Sequence, residues 1–190
     1  MTFQNQVILI TGGSSGIGLA TARAFAHEGA RVWLLARNTG RLASALEEVQ
    51  AASKHKPQGC GAVSADVADP DATARAVAEV TARAGPIDIL VNSAGAARPG
   101  YFQDLDLAVF REMMEVNYFG ALHVLKAVAP GMMQRRSGHI VNVSSGAAIV
   151  PTFGYTAYGA SKYALRGLSD VLRLELKPYN VLISVVYPPD

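Results

Sequence analysis

With a single cysteine, Cys60, in 190 residues, the chain can form no internal disulfide. That fits a reducing compartment, with Cys60 expected to be a small buried hydrophobe in a strand. Neither sign of charge is in excess, since 17 Lys and Arg meet 15 Asp and Glu for a net charge of +2. The only notable basic run is Arg135-Arg136, so no nucleic-acid partner is expected. Long hydrophobic runs are missing as well. No apolar stretch reaches the ~18–20 residues of a membrane span, and the longest helical candidate, near 106–135, carries Arg111, Glu112, Glu115, Lys126 and Arg135. A secretory signal is not seen, because Val7-Ile8-Leu9-Ile10 runs straight into glycines with no basic residue before it. The expected location is the cytoplasm, with contact at a membrane surface still open to a loop. His27, His55, His123 and His139 have no ligand spacing among themselves or with Cys60. No metal is expected, and all four read as surface or packing residues.

What the chain does have is core-forming material: 50% of its residues are hydrophobic and 17% charged. This excludes disorder, and the length suits one domain over residues 1–190. Short apolar runs near 6–10, 31–35, 60–65, 87–91, 139–143 and 181–186 read as strands buried on both faces. Helical patterns alternate with them near 16–28, 40–54, 70–84, 106–135 and 157–177. Gly85-Pro86 and Lys177-Pro178 supply helix stops. The alternation predicts an α/β fold, a Rossmann-type doubly wound parallel sheet with helices on both faces. Pro188-Pro189-Asp190 follows the sixth strand directly. We therefore expect a native chain with a further C-terminal segment, or a partner covering the sheet edge.

Gly12, Gly16 and Gly18 lie between the first strand and the first helix. Glycines there allow a tight turn and close approach of a pyrophosphate, which the helix N-terminus attracts. Ser14 and Ser15 can bond phosphate or cap the helix, and Ile17 completes the loop. An NAD site usually has Asp or Glu at the end of the second strand. Here Ala36 and Arg37 stand there, with Arg41 four residues on. Two guanidinium groups suit a phosphate dianion, so NADPH is predicted over NADH; two solvated arginines are the alternative. Asp66-Val67 after the third strand and Asn92-Ser93-Ala94-Gly95 after the fourth fall at the carboxyl edge, where such folds bind ligands. Asp66 is placed to accept from an adenine amino group, or else to cap a helix. Asn92 and Gly95 are expected to shape the cofactor wall.

Tyr158 and Lys162 stand four apart, so on a helix both project from one face. A cation beside a phenol favours its ionised form and makes it a usable proton donor. Tyr155 and Tyr163 have glycines at that spacing instead. Together TGGSSGIG at 11–18, NSAG at 92–95, Asn117, Ser145 and YGASK at 158–162 resemble the short-chain dehydrogenase/reductase family, over about Val7 to Pro188. The resemblance implies that Tyr158 gives the proton to a reduced carbonyl and that Lys162 tunes it and holds the nicotinamide ribose. It implies that Ser145, thirteen residues before Tyr158, bonds the substrate oxygen, and that Asn117 holds a water linking Lys162 to solvent. Pro188 belongs to the cofactor set on the same basis. The family also forms dimers or tetramers, so the helices near 106–135 and 157–177 are expected to meet a second subunit.

A narrower likeness links FGYTAY at 153–158, LELKPYNV at 174–181 and VYPPD at 186–190 to the 3-ketodihydrosphingosine reductase branch. Pro188-Pro189 departs from the Pro-Gly common in the broad family and agrees with this branch. The implied reaction is NADPH-dependent reduction of a long-chain keto-amine lipid. Ala147, Ala148, Ile149, Val150 and Phe153 are candidates for its apolar pocket, or for core packing beneath the site. Two other readings stay open: reduction of another apolar ketone, such as a steroid or 3-oxoacyl compound, and a catalytically silent NADP-binding sensor.

Overall fold

The computed structural model describes residues 3–53 and 59–189; Lys54, His55 and Asp190 lie outside them. Six strands form one parallel sheet in the order β3-β2-β1-β4-β5-β6. They are β1 (Val7–Thr11), β2 (Arg31–Ala36), β3 (Gly61–Ser64), β4 (Ile89–Asn92), β5 (Gly138–Val143) and β6 (Val181–Val186). The helices are α1 (Gly16–His27), α2 (Thr39–Ala52), α3 (Pro70–Ala84), α4 (Leu107–Met114), α5 (Gly120–Gln134) and α6 (Thr156–Leu176). The order reverses between β1 and β4, and that switch point is where a doubly wound sheet opens a crevice.

The inner strands β1, β2 and β4 read as continuous apolar runs because both faces are covered. The edge strand β6, expected to be buried on both faces, buries Val181 and Ile183 but exposes Leu182 and Val186, because no helix among the described residues covers its second face. On one face Ile8, Ile10, Val32 and Leu34 pack against Ala22 and Ala26 of α1 and Leu42, Ala45 and Val49 of α2. On the other, Leu9, Leu35, Leu90 and Ile140 pack against Val77 and Val80 of α3, Val124 and Val128 of α5, and Leu176 of α6. Cys60 is buried immediately before β3, and burial pushes its thiol pKa up. It is packing material.

The predicted single helix near 106–135 is divided. Between α4 and α5 the chain makes a π-helical turn, Glu115–Phe119, in which Gly120 N–H reaches back to the Glu115 carbonyl. Asn117 is the reason that turn is held: its side chain, 1% exposed, bonds neighbouring elements. Such wide turns occur where a side chain is drawn out of the regular helical path.

A polar chain runs through the core beneath this turn. Asn92 Nδ2 donates to Asn142 Oδ1 at 2.9 Å, Asn142 Nδ2 to Ser169 Oγ at 2.9 Å, and Ser169 Oγ to the Leu165 carbonyl at 2.6 Å. It ties β4 to β5 and β5 to α6 without exposing any member. Replacing Asn142 by Ala strands a buried donor on Asn92. The expected loss is about 2–3 kcal/mol in urea unfolding; a variant as stable as the parent would show that the chain is not structural.

Candidate active site

Thr11 ends β1 with its hydroxyl accepting from Ser93 N and Ala94 N, both at 3.1 Å. This draws the loop leaving β4 against the turn leaving β1. The approach is so close that a Cβ on Gly12 (φ +68°) would stand 2.8 Å from the Ala94 backbone; within the loop itself, a Cβ on Gly18 would collide with the Gly12 carbonyl. Gly16 (φ +53°) faces open space, with nothing within 4 Å of a Cβ built there. Ser15 is the N-cap residue of α1 but makes no side-chain capping bond. Glycines, serines and Ile17 of this loop line a cleft of about 490 Å³. Unoccupied hydroxyls, bare backbone and a helix N-terminus around one opening fit a pyrophosphate.

Along the cleft lie Arg37, Arg41, Asp66 and Val67. Arg37 Nη1 stands 3.5 Å from Asp66 Oδ2, with the arginine side chain largely exposed and the aspartate partly buried. Asn38 caps α2 by accepting from Arg41 N at 2.9 Å, which places the two arginines on one helix start. Asp66 does not cap α3; Asp69 does, accepting from the N–H groups of Asp71 and Ala72. Asp66 Oδ1 instead accepts from Ala68 N at 3.0 Å and shapes its own turn.

At the other end Tyr158 and Lys162 line the same cleft. Tyr158 is half-buried, and its ring centroid lies 5.7 Å from Lys162 Nζ. Lys162 is 5% exposed and donates to the Val143 carbonyl at 3.0 Å. Burial lowers its pKa to about 8. Gly95 lines the cleft where these parts converge: a Cβ there would lie 3.0 Å from Asn117 Oδ1 and 3.5 Å from Lys162 Nζ. Asn117 clamps Ala96 by both backbone groups, accepting from its N–H and donating to its carbonyl, each at 2.9 Å. It also donates to Ser161 Oγ at 2.9 Å, and Ser161 donates to the Tyr158 carbonyl. One amide therefore joins the β4 loop to the helix that carries Tyr158 and Lys162.

Four predicted residues stand off the cleft wall. Asn92 turns into the core chain described above, because its side chain alternates away from the opening. Asn117 sits behind Gly95 and Ala96. Ser145 is buried at the start of the short 3-10 turn Gly146–Ala148, where its hydroxyl accepts from Ala147 N at 3.0 Å. The Pro188 carbonyl accepts from Gly146 N and so holds that turn to the segment after β6. Ser144 does line the cleft, but its hydroxyl donates to the Lys162 carbonyl at 3.2 Å.

The short chain dehydrogenase family matches residues 6–190. The chain belongs to that family. A 3-ketodihydrosphingosine reductase of Bos taurus is 42% identical over 184 residues, which cover 96% of this chain and 55% of the relative. A 3-dehydrosphinganine reductase of Danio rerio has the same identity and coverage. The crystal structure of an NAD+-bound xylitol dehydrogenase aligns with a TM-score of 0.94 at 34% identity, covering all of this chain and 72% of that one. The chain thus spans about half the length of the curated relatives it matches.

Several residues that build this cleft carry no signal in the sequence. Thr11 stands in the glycine motif but signals nothing until its contact with the β4 loop is seen. Ser161 lies inside YGASK, where its bond to Asn117 depends on a residue 44 positions away. Ala147 and Ala148 are fully buried, whereas Ile149, Val150 and Phe153 are exposed, Phe153 by 86%. The apolar run after Ser145 thus divides into core and rim.

The buried ammonium sets a pH dependence. Its folded pKa, about 8, lies below the unfolded value, so the native state carries a penalty that is full below pH 8. The penalty is relieved as pH rises from about 8 to about 10.4, where the native lysine loses its proton before the unfolded one. Lys162→Met keeps the packing and removes the charge. It should be the more stable protein at pH 7, by an amount of order 3 kcal/mol, with the gap closing toward pH 10. Urea unfolding at both pH values checks this; a gap that widened with pH would contradict it.

Proposed function

We propose that this chain is the catalytic part of an NADPH-dependent reductase that converts the 3-keto group of 3-dehydrosphinganine to the alcohol of sphinganine. The observation that carries the reading is the pairing of Tyr158 with the buried Lys162 at one end of a glycine-walled cleft whose other end holds Arg37 and Arg41. The 42% identity to 3-ketodihydrosphingosine reductases supports the substrate class. The solved neighbour named above holds NAD+, so the choice of nucleotide is read from this chain's own arginines. No acidic residue occupies the end of β2, and a 2′-phosphate beside two guanidinium groups gains charge-assisted bonds that a ribose hydroxyl cannot make.

A bound nicotinamide would supply hydride to the ketone carbon. The residues handle the oxygen. Tyr158 holds a proton at Oη and meets negative charge where it develops; Ser145, buried behind the cleft wall with its hydroxyl accepting from Ala147 N, would reach that oxygen only from a ketone seated against the turn Gly146–Ala148. The Lys162 ammonium steadies the phenolate left after proton transfer. Its burial keeps water from weakening that effect. Asn117 and Ser161 hold the helix that presents both groups.

The apolar ketone finds a matching rim. Gly100 N–H donates to the Gly154 carbonyl at 2.8 Å, and the Tyr101 and Phe153 rings sit 5.2 Å apart. The loops after β4 and β5 are thereby fastened together next to Tyr158. Phe102, Ile149 and Val150, on the same two loops, are exposed as well. A long alkyl tail suits such a surface better than a polyol does.

Two measurements test the reading. The protein should oxidise NADPH in the presence of 3-dehydrosphinganine, and Tyr158→Phe should lower kcat by ~10²–10⁴-fold while the protein stays folded. Turnover of steroid or 3-oxoacyl ketones alone would move the assignment to another branch, and nucleotide binding without any turnover would favour a sensor. Arg37→Ala should raise KM for NADPH about tenfold and leave KM for NADH nearly unchanged. Equal effects on the two nucleotides would remove the 2′-phosphate assignment.

A further inference from the structure

The turn Asp66-Val67 lies between β3 and α3 and forms part of the cleft wall near Arg37. Its two carbonyls are held differently. The Asp66 carbonyl accepts locally, from Asp69 N at 3.1 Å and Thr73 Oγ1 at 3.3 Å. The Val67 carbonyl accepts from His123 Nδ1 on α5, 56 residues away, at 2.9 Å. A carbonyl only accepts, so Nδ1 must carry the hydrogen. The ring is braced by stacking on Phe119, with centroids 6.4 Å apart and planes 28° off parallel. The helix reaches the turn because Gly120 has no side chain; a Cβ there would stand 2.7 Å from Val67 Cγ2.

We propose that His123 is a positioning residue for the nucleotide: it fixes the Val67 carbonyl, and with it the Asp66 carboxylate, in the place where the adenosine half binds. Three features agree. The bond ends on a residue of the cleft wall, and Val67 is itself buried. The same helical unit bonds Ala96 through Asn117, so it holds the loop after β4 as well as the turn after β3. Finally, Asp66 faces Arg37 at 3.5 Å, so a shift of the turn would also disturb a guanidinium assigned to the 2′-phosphate. His123 touches neither Tyr158 nor Lys162 in any contact described, and its removal should spare the proton-transfer step.

The inference rests on the nucleotide reading above, and binding titrations separate the two. Calorimetry with NADPH and with adenosine 2′,5′-bisphosphate, which is the adenosine half alone, is run on the parent protein and on His123→Phe. Phenylalanine keeps the ring stack and removes the donor. Both dissociation constants should rise about 5–10-fold, the scale of one hydrogen bond, with kcat at saturating NADPH unchanged. His123→Asn returns an N–H close to the Nδ1 position and should restore both constants to within about twofold of the parent. A folded His123→Phe that binds the bisphosphate as the parent does overturns the proposal, as does a His123→Asn no better than His123→Phe. If His123→Phe does not unfold cooperatively, His123→Gln carries the test. It displaces the donor yet keeps a polar chain; a raised constant supports the proposal, and an unchanged one overturns it. A parent that binds none of NADPH, NADH and the bisphosphate overturns the nucleotide reading and this inference together.

Discussion

The geometry of the site depends on the amide of Asn117. It lies in the π-helical turn between α4 and α5, almost fully buried, and satisfies both backbone groups of Ala96 while also reaching Ser161. A buried amide left without partners would cost about 1–3 kcal/mol for each unmet group. The helix therefore accepts a widened turn so that the amide can meet its partners. The consequence is mechanical: the loop after β4, the middle helix and α6 become one unit. Gly95 lies against both Asn117 and Lys162: a Cβ there would stand 3.0 Å from Asn117 Oδ1, so that oxygen would have to give by a few tenths of an ångström, and 3.5 Å from Lys162 Nζ, an ordinary contact.

Lys162 depends on that unit. An ammonium this buried is unfavourable by itself, and it stays in place because its helix is fastened on several sides. Ser144 donates to its carbonyl, Arg166 donates to the Ala148 carbonyl at 2.9 Å, and Tyr163 donates to the Ile149 carbonyl at 3.1 Å. The turn that carries Ser145 is thus laced to the same helix face that presents Tyr158 and Lys162. Holding a charge where it is destabilising, by contacts made elsewhere, is the usual arrangement where a group must act rather than pack.

Much of this could be read from the chain. Strand and helix boundaries followed from apolar runs and from breakers such as Gly85 and Pro178, since a parallel sheet covered on both faces leaves few other ways to bury them. The cleft residues of the glycine loop, with Arg37, Arg41, Tyr158 and Lys162, were legible because their chemistry lies in short local patterns. What could not be read depends on distance in sequence. The division of the long helix is set by a bond from Asn117 to Ala96, 21 residues earlier. His123 reads as a surface or packing residue, and its bond to the Val67 carbonyl, in another βα unit, leaves no local pattern in the sequence. Asn92 looked like a cofactor contact because its position at the strand end is right; only the pairing with Asn142 explains why its side chain points inward.

The structure also divides into a firmly packed part and a rim that is free to vary. The glycine loop sits between β1 and α1, and Tyr158 and Lys162 sit in the first two turns of α6, where packing and hydrogen bonds fix them. The apolar rim of Tyr101, Phe102, Val150 and Phe153 sits on two loops joined by one backbone bond and one ring contact. No hydrogen bond described in the structure runs from those four side chains to Asn117, Tyr158 or Lys162, so the rim can change without moving them. A solved relative named for a polyol can therefore overlay all of this chain at a TM-score of 0.94. The packed sheet and helices fix the cleft, and the loops set the character of the surface beside it.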